Sequence, residues 1–154
     1  MQFTKKQLCW SVITIFVILL IGHLTSVMYY MGDLPKSPSF GKQLVLDLFF
    51  FEHEKNLPAW FSAGLFLLAS CYFSQIAKKK KRIRDRFAKQ WKGLQYVCIF
   101  LACDEWFSIH ENLNDFGLAA FDIPYWVIIY LILTLLLVIS YVPFIKHLPK
   151  KTIF

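Results

Sequence analysis

The chain has 154 residues, of which 57% are hydrophobic and 18% are aromatic. Only 18% are charged, against about 25% in an average soluble domain, and the formal net charge is +7. The apolar residues form blocks long enough to cross a bilayer, which excludes a soluble globular enzyme, a disordered chain and a secreted disulfide scaffold.

Four apolar segments have the length of a membrane-spanning helix, which needs about 20 mostly apolar residues. They cover residues 8–31, 59–77, 93–113 and 125–145. The first follows Lys5 and Lys6 as a signal peptide would, but it is too long and lacks a small-residue cleavage site, so we interpret it as a retained helix. The sequence therefore predicts one all-α domain over residues 1–154, an integral membrane four-helix bundle.

The distribution of basic residues predicts the orientation of this bundle. With four crossings, the segment of residues 78–92 lies on the same side as both termini, and fourteen of the 17 basic residues fall on that side. Nine of the ten acidic residues fall on the other side. Because Lys and Arg concentrate in cytoplasmic loops, we expect both termini to be cytoplasmic.

Two shorter elements flank the second apolar segment. Residues 43–55 predict a short interfacial helix with Leu44, Leu48 and Phe51 on one stripe. Asn56 is the expected N-cap of the helix that follows, with Pro58 in its first turn.

Residues 78–92 predict a basic cytoplasmic loop, which favours contact with the lipid bilayer through anionic lipid headgroups. Docking of an acidic cytoplasmic partner is the alternative. Nucleic acid is not an expected partner, because the positive charge is confined to this loop. The residues expected to face lipid or partner are Lys78, Lys79, Lys80, Lys81, Arg82, Arg84 and Arg86.

The third apolar segment is unusual because ionisable side chains interrupt its second half. At 100° per residue, Asp104, Ser108 and Glu111 would share one stripe, with Glu105 pointing about 100° away and His110 on the flank. An Asp at the centre of a spanning helix costs about 2.5 to 3.5 kcal/mol, so such residues indicate a functional site.

Further candidate groups come from other segments on the same side. His23 in the first helix is expected at a depth similar to that of Asp104, and Glu54 precedes the second helix. Carboxylates with imidazoles suit Zn, Mn or Fe. We therefore expect an external-leaflet divalent-metal site made by Asp104, His110, Glu111, Glu54 and His23, with Glu105, Asn56 and Ser108 in support. A haem held by two histidines is not expected, because the two imidazoles lie at different depths.

Other interpretations stay open at this point. Asp104 and Glu111 also fit a small proton- or cation-coupled transporter, the alternative to the metal site. A non-catalytic accessory subunit of a membrane complex is a third alternative. Glu54 also fits a solvated loop and His23 a packing role. The sequence does not decide whether the protein is an enzyme, which substrate it takes, or whether it forms a homo-oligomer or binds a protein partner.

Two motifs resemble those of a known group of proteins. The stretch EKNLPAWFS at residues 54–62 and the pair Asp104-Glu105 followed by His110-Glu111 resemble an uncharacterised family of small bacterial multi-pass membrane proteins with an ExNLPxWFS segment and a DE…HE helix motif. The resemblance implies a location in the bacterial inner membrane. It also marks these acidic and histidine residues, together with Glu54 and Asn56, without implying an activity.

Overall fold

The computed structural model describes residues 4–31, 39–51, 55–112 and 124–148, and every regular element in these ranges is an α-helix. Residues 1–62 and 63–154 form two compact units. The helix α3 begins in the first unit and continues into the second. In chain order the helices are α1 (Lys5–Met31), α2 (Phe40–Phe49), α3 (Leu57–Arg82), α4 (Ala88–Phe107), α5 (Ile109–Asn112) and α6 (Tyr125–His147).

Within the described ranges, three helices, α1, α3 and α6, are long and apolar enough to cross a membrane. Most large apolar side chains of α1 and α6 are exposed on the protein surface, as expected for helices that face lipid. The helix α4 is not among the three, because its 20 residues include the charged side chains of Lys89, Lys92, Asp104 and Glu105. The described helices and the three candidate spans thus confirm the predicted all-α class of a membrane protein.

The helix α2 ends at Phe49, six residues earlier than the interfacial helix predicted over residues 43–55. Two side chains from neighbouring helices bind carbonyl groups near this end. The Ser26 hydroxyl donates to the Leu46 carbonyl at 2.9 Å, and the Asn56 side-chain amide donates to the Phe50 carbonyl at 2.6 Å. The carbonyls at a helix end lack partners within the helix. These two tertiary hydrogen bonds therefore stabilise the early end.

The buried face of α2 also differs from the predicted stripe. Leu46 is buried whereas Leu44 is 51% exposed, and Phe51 lies beyond the end of the helix. The helix α1 approaches this face at Gly22, where an added Cβ would overlap the side chain of Phe49. The absence of a side chain at Gly22 therefore permits the close packing of α1 on α2.

Most of the basic segment predicted as a loop is helical. The helix α3 continues through Arg82 and α4 begins at Ala88, because Lys and Arg are good helix formers and are favourable at a helix C-terminus. The turn begins with a Schellman motif, in which the Asp85 N–H donates to the Lys80 carbonyl at 3.0 Å and the Arg84 N–H to the Lys81 carbonyl at 3.1 Å. Arg84 occupies the left-handed position of this motif with φ 52°.

In the second unit, α4 runs antiparallel to α6 along its whole length. The Tyr141 hydroxyl donates to the Gln90 carbonyl at 2.8 Å and lies over Gly93, which has no side chain to displace it. The aromatic contacts pair Phe87 with Phe144, Trp91 with Phe144, Phe100 with Tyr130 and His110 with Trp126, at centroid distances of 5.6, 5.0, 6.0 and 5.3 Å. The final residues of α4 and the α5 turn are thereby brought to the first turns of α6.

Candidate functional site

The candidate site lies where α4 breaks. Ser108 adopts a left-handed conformation, with φ 51° and ψ 45°, and α5 begins at the next residue. The Ser108 carbonyl accepts the Glu111 N–H at 3.2 Å and the Asn112 side-chain amide at 3.1 Å. The prediction of one continuous helix over residues 93–113 is therefore wrong at this position. The expected single stripe of Asp104, Ser108 and Glu111 does not exist.

The break brings His110 back onto Asp104. The Asp104 side chain is buried, its Oδ1 accepts the His110 backbone N–H at 2.9 Å, and its Oδ2 lies 3.1 Å from His110 Nδ1. One carboxylate thus binds a backbone N–H of the α5 turn and orients the imidazole ring. Because Nδ1 faces the carboxylate, Nε2 is the ring nitrogen left to bind another group.

Two aromatic residues of α6 complete the surroundings of this pair. The Trp126 ring lies edge-on to the His110 ring at 5.3 Å. The buried Tyr130 hydroxyl faces the Asp104 carboxylate, which is its neighbouring hydrogen-bond acceptor. Sequence reasoning missed both aromatics, although their spacing of four places them on one helix face.

The two glutamates of the motif are not part of this contact. Glu105 is half-buried and Glu111 is exposed, and neither side chain forms an ion pair with a residue in the described ranges. Across those ranges, no three His, Cys, Asp or Glu side chains lie close enough together to hold a metal ion. The structure therefore joins Asp104 with His110 and leaves Glu111 apart from them.

His23 contacts the chain that follows α2. Its ring stacks on Phe51 at a centroid distance of 4.0 Å, and its Nδ1 accepts the Phe51 backbone N–H at 3.2 Å. Its Nε2 forms no hydrogen bond with a described residue, so this nitrogen stays open to a ligand. His23 lies in the first unit and Asp104 in the second.

The prediction that His23 and Asp104 lie at similar depth assumed that the third helix continues without a break to residue 113. Asp104 is three residues from the end of α4, whereas His23 is eight residues from the end of α1. At 1.5 Å per residue these distances are roughly 5 Å and 12 Å. The break at Ser108 removes the basis of that estimate, and the relative depth of the two residues stays a prediction.

Asn56 is the N-cap of α3, as predicted. It is only 2% exposed, and its Oδ1 accepts the Ala59 N–H at 2.8 Å. Because its amide also binds the Phe50 carbonyl, this one side chain fixes the start of α3 and the end of α2 together. Glu54, which was predicted to join the site, lies outside the described residues.

The basic residues of the hairpin between α3 and α4 separate into two groups. Four of the seven predicted to face lipid line a cleft between the two helices, namely Lys78, Lys81, Arg84 and Arg86, and Lys79, Lys80 and Arg82 do not. Lys80 binds Asp85 at 2.7 Å, and the Asp85 carboxylate also accepts the Phe87 N–H at 2.8 Å. These contacts with Lys80 and Phe87 hold the pKa of Asp85 below its usual range.

Comparison with known proteins places the chain in one family. No curated protein and no solved structure matches it. The model of DUF8692, described as a domain of unknown function, matches residues 11–154, which include the Asp104–His110 pair and the basic hairpin. The chain therefore belongs to the DUF8692 family.

Proposed function

We propose that this protein is a four-span membrane protein with a divalent-metal site at its external end, centred on His110. The observation that carries the proposal is the two-point contact between Asp104 and His110. Metal-binding histidines usually donate their second ring N–H to a carboxylate, which fixes the tautomer and the ring orientation. In this proposal Asp104 orients the imidazole and Nε2 of His110 binds the metal.

The remaining ligands are expected to be acidic. Glu111, which follows His110 in the chain, is one candidate, and Glu54 and His23 stay candidates from the sequence alone. A ligand set of carboxylates and imidazole suits Zn, Mn or Fe. Asp104 thereby changes from the ligand suggested by the sequence to a positioning residue, because both of its oxygens already bind His110.

The fourth crossing in this proposal is α4. Its 20 residues span about 30 Å, the thickness of the hydrocarbon core, and residues 93–103 carry no charge. Its packing along the whole length of α6 supports a shared depth in the membrane. The contact of Phe87 with His147 also supports a common side for the basic hairpin and the C-terminus. With the positive-inside rule, we propose that both termini are cytoplasmic and that the membrane is the bacterial inner membrane.

Elemental analysis of the purified full-length protein tests the metal site. We expect about one Zn, Mn or Fe per chain, lost in His110→Ala and retained in the control His147→Ala, which changes a histidine at the opposite end of α6. Asp104→Asn is expected to weaken the affinity by 10- to 100-fold without abolishing binding, as for other outer-shell carboxylates. Protein that carries no metal above background after growth in supplemented medium would contradict the proposal.

Reporter fusions test the topology. A reporter after Lys151 is expected to read as cytoplasmic, and one near Lys42 as external. A cytoplasmic readout near Lys42 would contradict the four-span arrangement. An external readout after Lys151 would show that α4 does not cross the membrane.

A second candidate function is proton- or cation-coupled transport. The adjacent side chains of Asp104, His110 and Tyr130 favour it, because neighbouring titratable groups at membrane depth form proton relays in transporters. Flux measured in proteoliposomes with an imposed pH gradient tests this alternative. We expect Asp104→Asn to abolish coupled flux and Glu105→Gln to leave it unchanged.

A further inference from the structure

The hairpin between α3 and α4 contains a cleft that the proposed metal site does not use. The cleft has a volume of about 770 Å³, in the range of sites that hold a small molecule. Six cationic side chains line it, namely Lys78, Lys81, Arg84, Arg86, Lys89 and Lys92. Two of them come from α3, two from the turn and two from the start of α4, so the two arms of the hairpin together form a basic groove.

The positive charge of this groove is not balanced by the protein. Asp85, which also lines the cleft, is the one acidic residue between Glu54 and Asp104 in the sequence, so one carboxylate faces six cationic side chains. Its carboxylate is already bound by the Lys80 ammonium and the Phe87 N–H. Like charges held along one cleft repel each other, and a bound anion would offset that repulsion.

The walls of the cleft change character with depth. Towards the centre of the helices its lining includes the hydroxyl of Ser74 and the amide of Gln95, and the small side chains of Ala77 and Ala88 leave the space open. A ligand in this space would contact cations near the turn and uncharged polar groups one helical turn deeper. Cations followed by uncharged polar groups complement the phosphate of a lipid headgroup followed by its glycerol and ester groups.

We propose that this cleft binds a phosphate-bearing anion, the phosphodiester headgroup of an anionic membrane lipid. Arg and Lys bind phosphate oxygens through charge-assisted hydrogen bonds, and basic pockets between spanning helices on the cytoplasmic side hold anionic headgroups. The cleft lies at the end of α3, a candidate span, and therefore at headgroup level. This assignment concerns one bound lipid in a defined site and is independent of the proposed metal.

A pair of charge-matched variants tests the assignment. Lys81→Gln with Lys89→Gln removes two charges from the cleft. Lys79→Gln with Arg82→Gln removes two charges from the same hairpin outside the cleft. Native mass spectrometry of the full-length protein in mild detergent would measure retention of dioleoylphosphatidylglycerol against dioleoylphosphatidylcholine, and circular dichroism would check that both variants remain helical.

We expect the wild-type protein to retain one phosphatidylglycerol in preference to phosphatidylcholine. The cleft variant should bind it at least about tenfold more weakly, and the control variant should change by less than about threefold. Equal losses in both variants would overturn the assignment, because general surface charge would then explain the binding. Preference for an acidic peptide such as polyglutamate over the lipid would overturn it as well.

A test with inorganic phosphate distinguishes a lipid headgroup from a free phosphate ion as the ligand of the cleft. If millimolar phosphate stabilises the wild-type protein and not the cleft variant while no lipid is retained, the site recognises soluble phosphate and the lipid is excluded as its source. If phosphate has no effect at that concentration while the lipid is retained, the headgroup needs its glycerol and ester contacts, as the deeper lining of the cleft predicts.

Discussion

Replacement of Asp104 measures how strongly the α5 turn depends on one carboxylate. Asp104→Ala removes both acceptors of His110 and leaves its backbone N–H without a partner at a part-buried position. A buried donor that loses its partner costs about 1–3 kcal/mol, and a hydrogen bond to a charged group contributes about 1.5–3 kcal/mol. We therefore expect a loss of roughly 2–4 kcal/mol in the free energy of unfolding.

Asp104→Asn tests the same contact more gently. The amide keeps one carbonyl oxygen that can accept the His110 N–H, so the expected loss is about half as large, roughly 1–2 kcal/mol. Glu105→Gln is the matched control. It changes the adjacent carboxylate of the same helix, which has no ion pair with a described residue, and should stay within about 0.5 kcal/mol.

Unfolding in mixed micelles of mild detergent and SDS, followed by tryptophan fluorescence, measures these differences. Trp126 lies 5.3 Å from His110 and serves as a local probe. The titrations should be repeated with a chelator, because a bound metal would add ligand-linked stability of its own. If Asp104→Ala destabilises the protein no more than Glu105→Gln in either condition, the Asp104–His110 contact does not stabilise the fold and the reasoning is refuted.

Three further changes probe the helix ends. Asn56→Ala removes a buried cap and should cost about 1–2 kcal/mol in the same SDS titration; no loss would contradict the capping role. Arg84→Gly relieves a left-handed φ of 52° and should stabilise the protein by roughly 0.5–1 kcal/mol. Arg84→Asn removes the same charge and is the control. If both variants are destabilised, contacts of the arginine side chain contribute more to stability than relief of the backbone conformation. The pKa of Asp85 is lowered from its usual 3.8, so its ion pair with Lys80 should stabilise the folded state in full above that pH and progressively less as the pH falls below it. Asp85→Asn should flatten the stability profile between pH 5 and pH 2, measured by thermal unfolding, and an unchanged profile would argue against the pair.

Much of the helical order could be predicted because apolar length alone decides it. The helices α1, α3 and α6 cover the predicted apolar segments 8–31, 59–77 and 125–145. The cap at Asn56 was also predictable, since a short polar side chain directly precedes a proline-containing first turn.

The breaks in the chain could not be predicted from periodicity. Ser108 adopts a left-handed conformation that is uncommon outside glycine, and neither Gly nor Pro stands at or next to this position in the sequence. The Asp104 side chain stabilises the break by binding the His110 N–H, a contact that forms only once the chain has already turned. The early end of α2 has the same origin, because Ser26 reaches its carbonyl from 20 residues away in the sequence.

The packing within residues 1–62 has a consequence for how the protein is made. Ser26 binds Leu46, His23 binds Phe51, and the Tyr30 hydroxyl donates to the Asp47 carboxylate, so each of these contacts joins α1 to a segment synthesised soon after it. At about 5–20 residues per second, translation of the 92 residues that follow the first unit takes roughly 5–20 s. The helix α1 can therefore bind α2 while the second unit is still being synthesised.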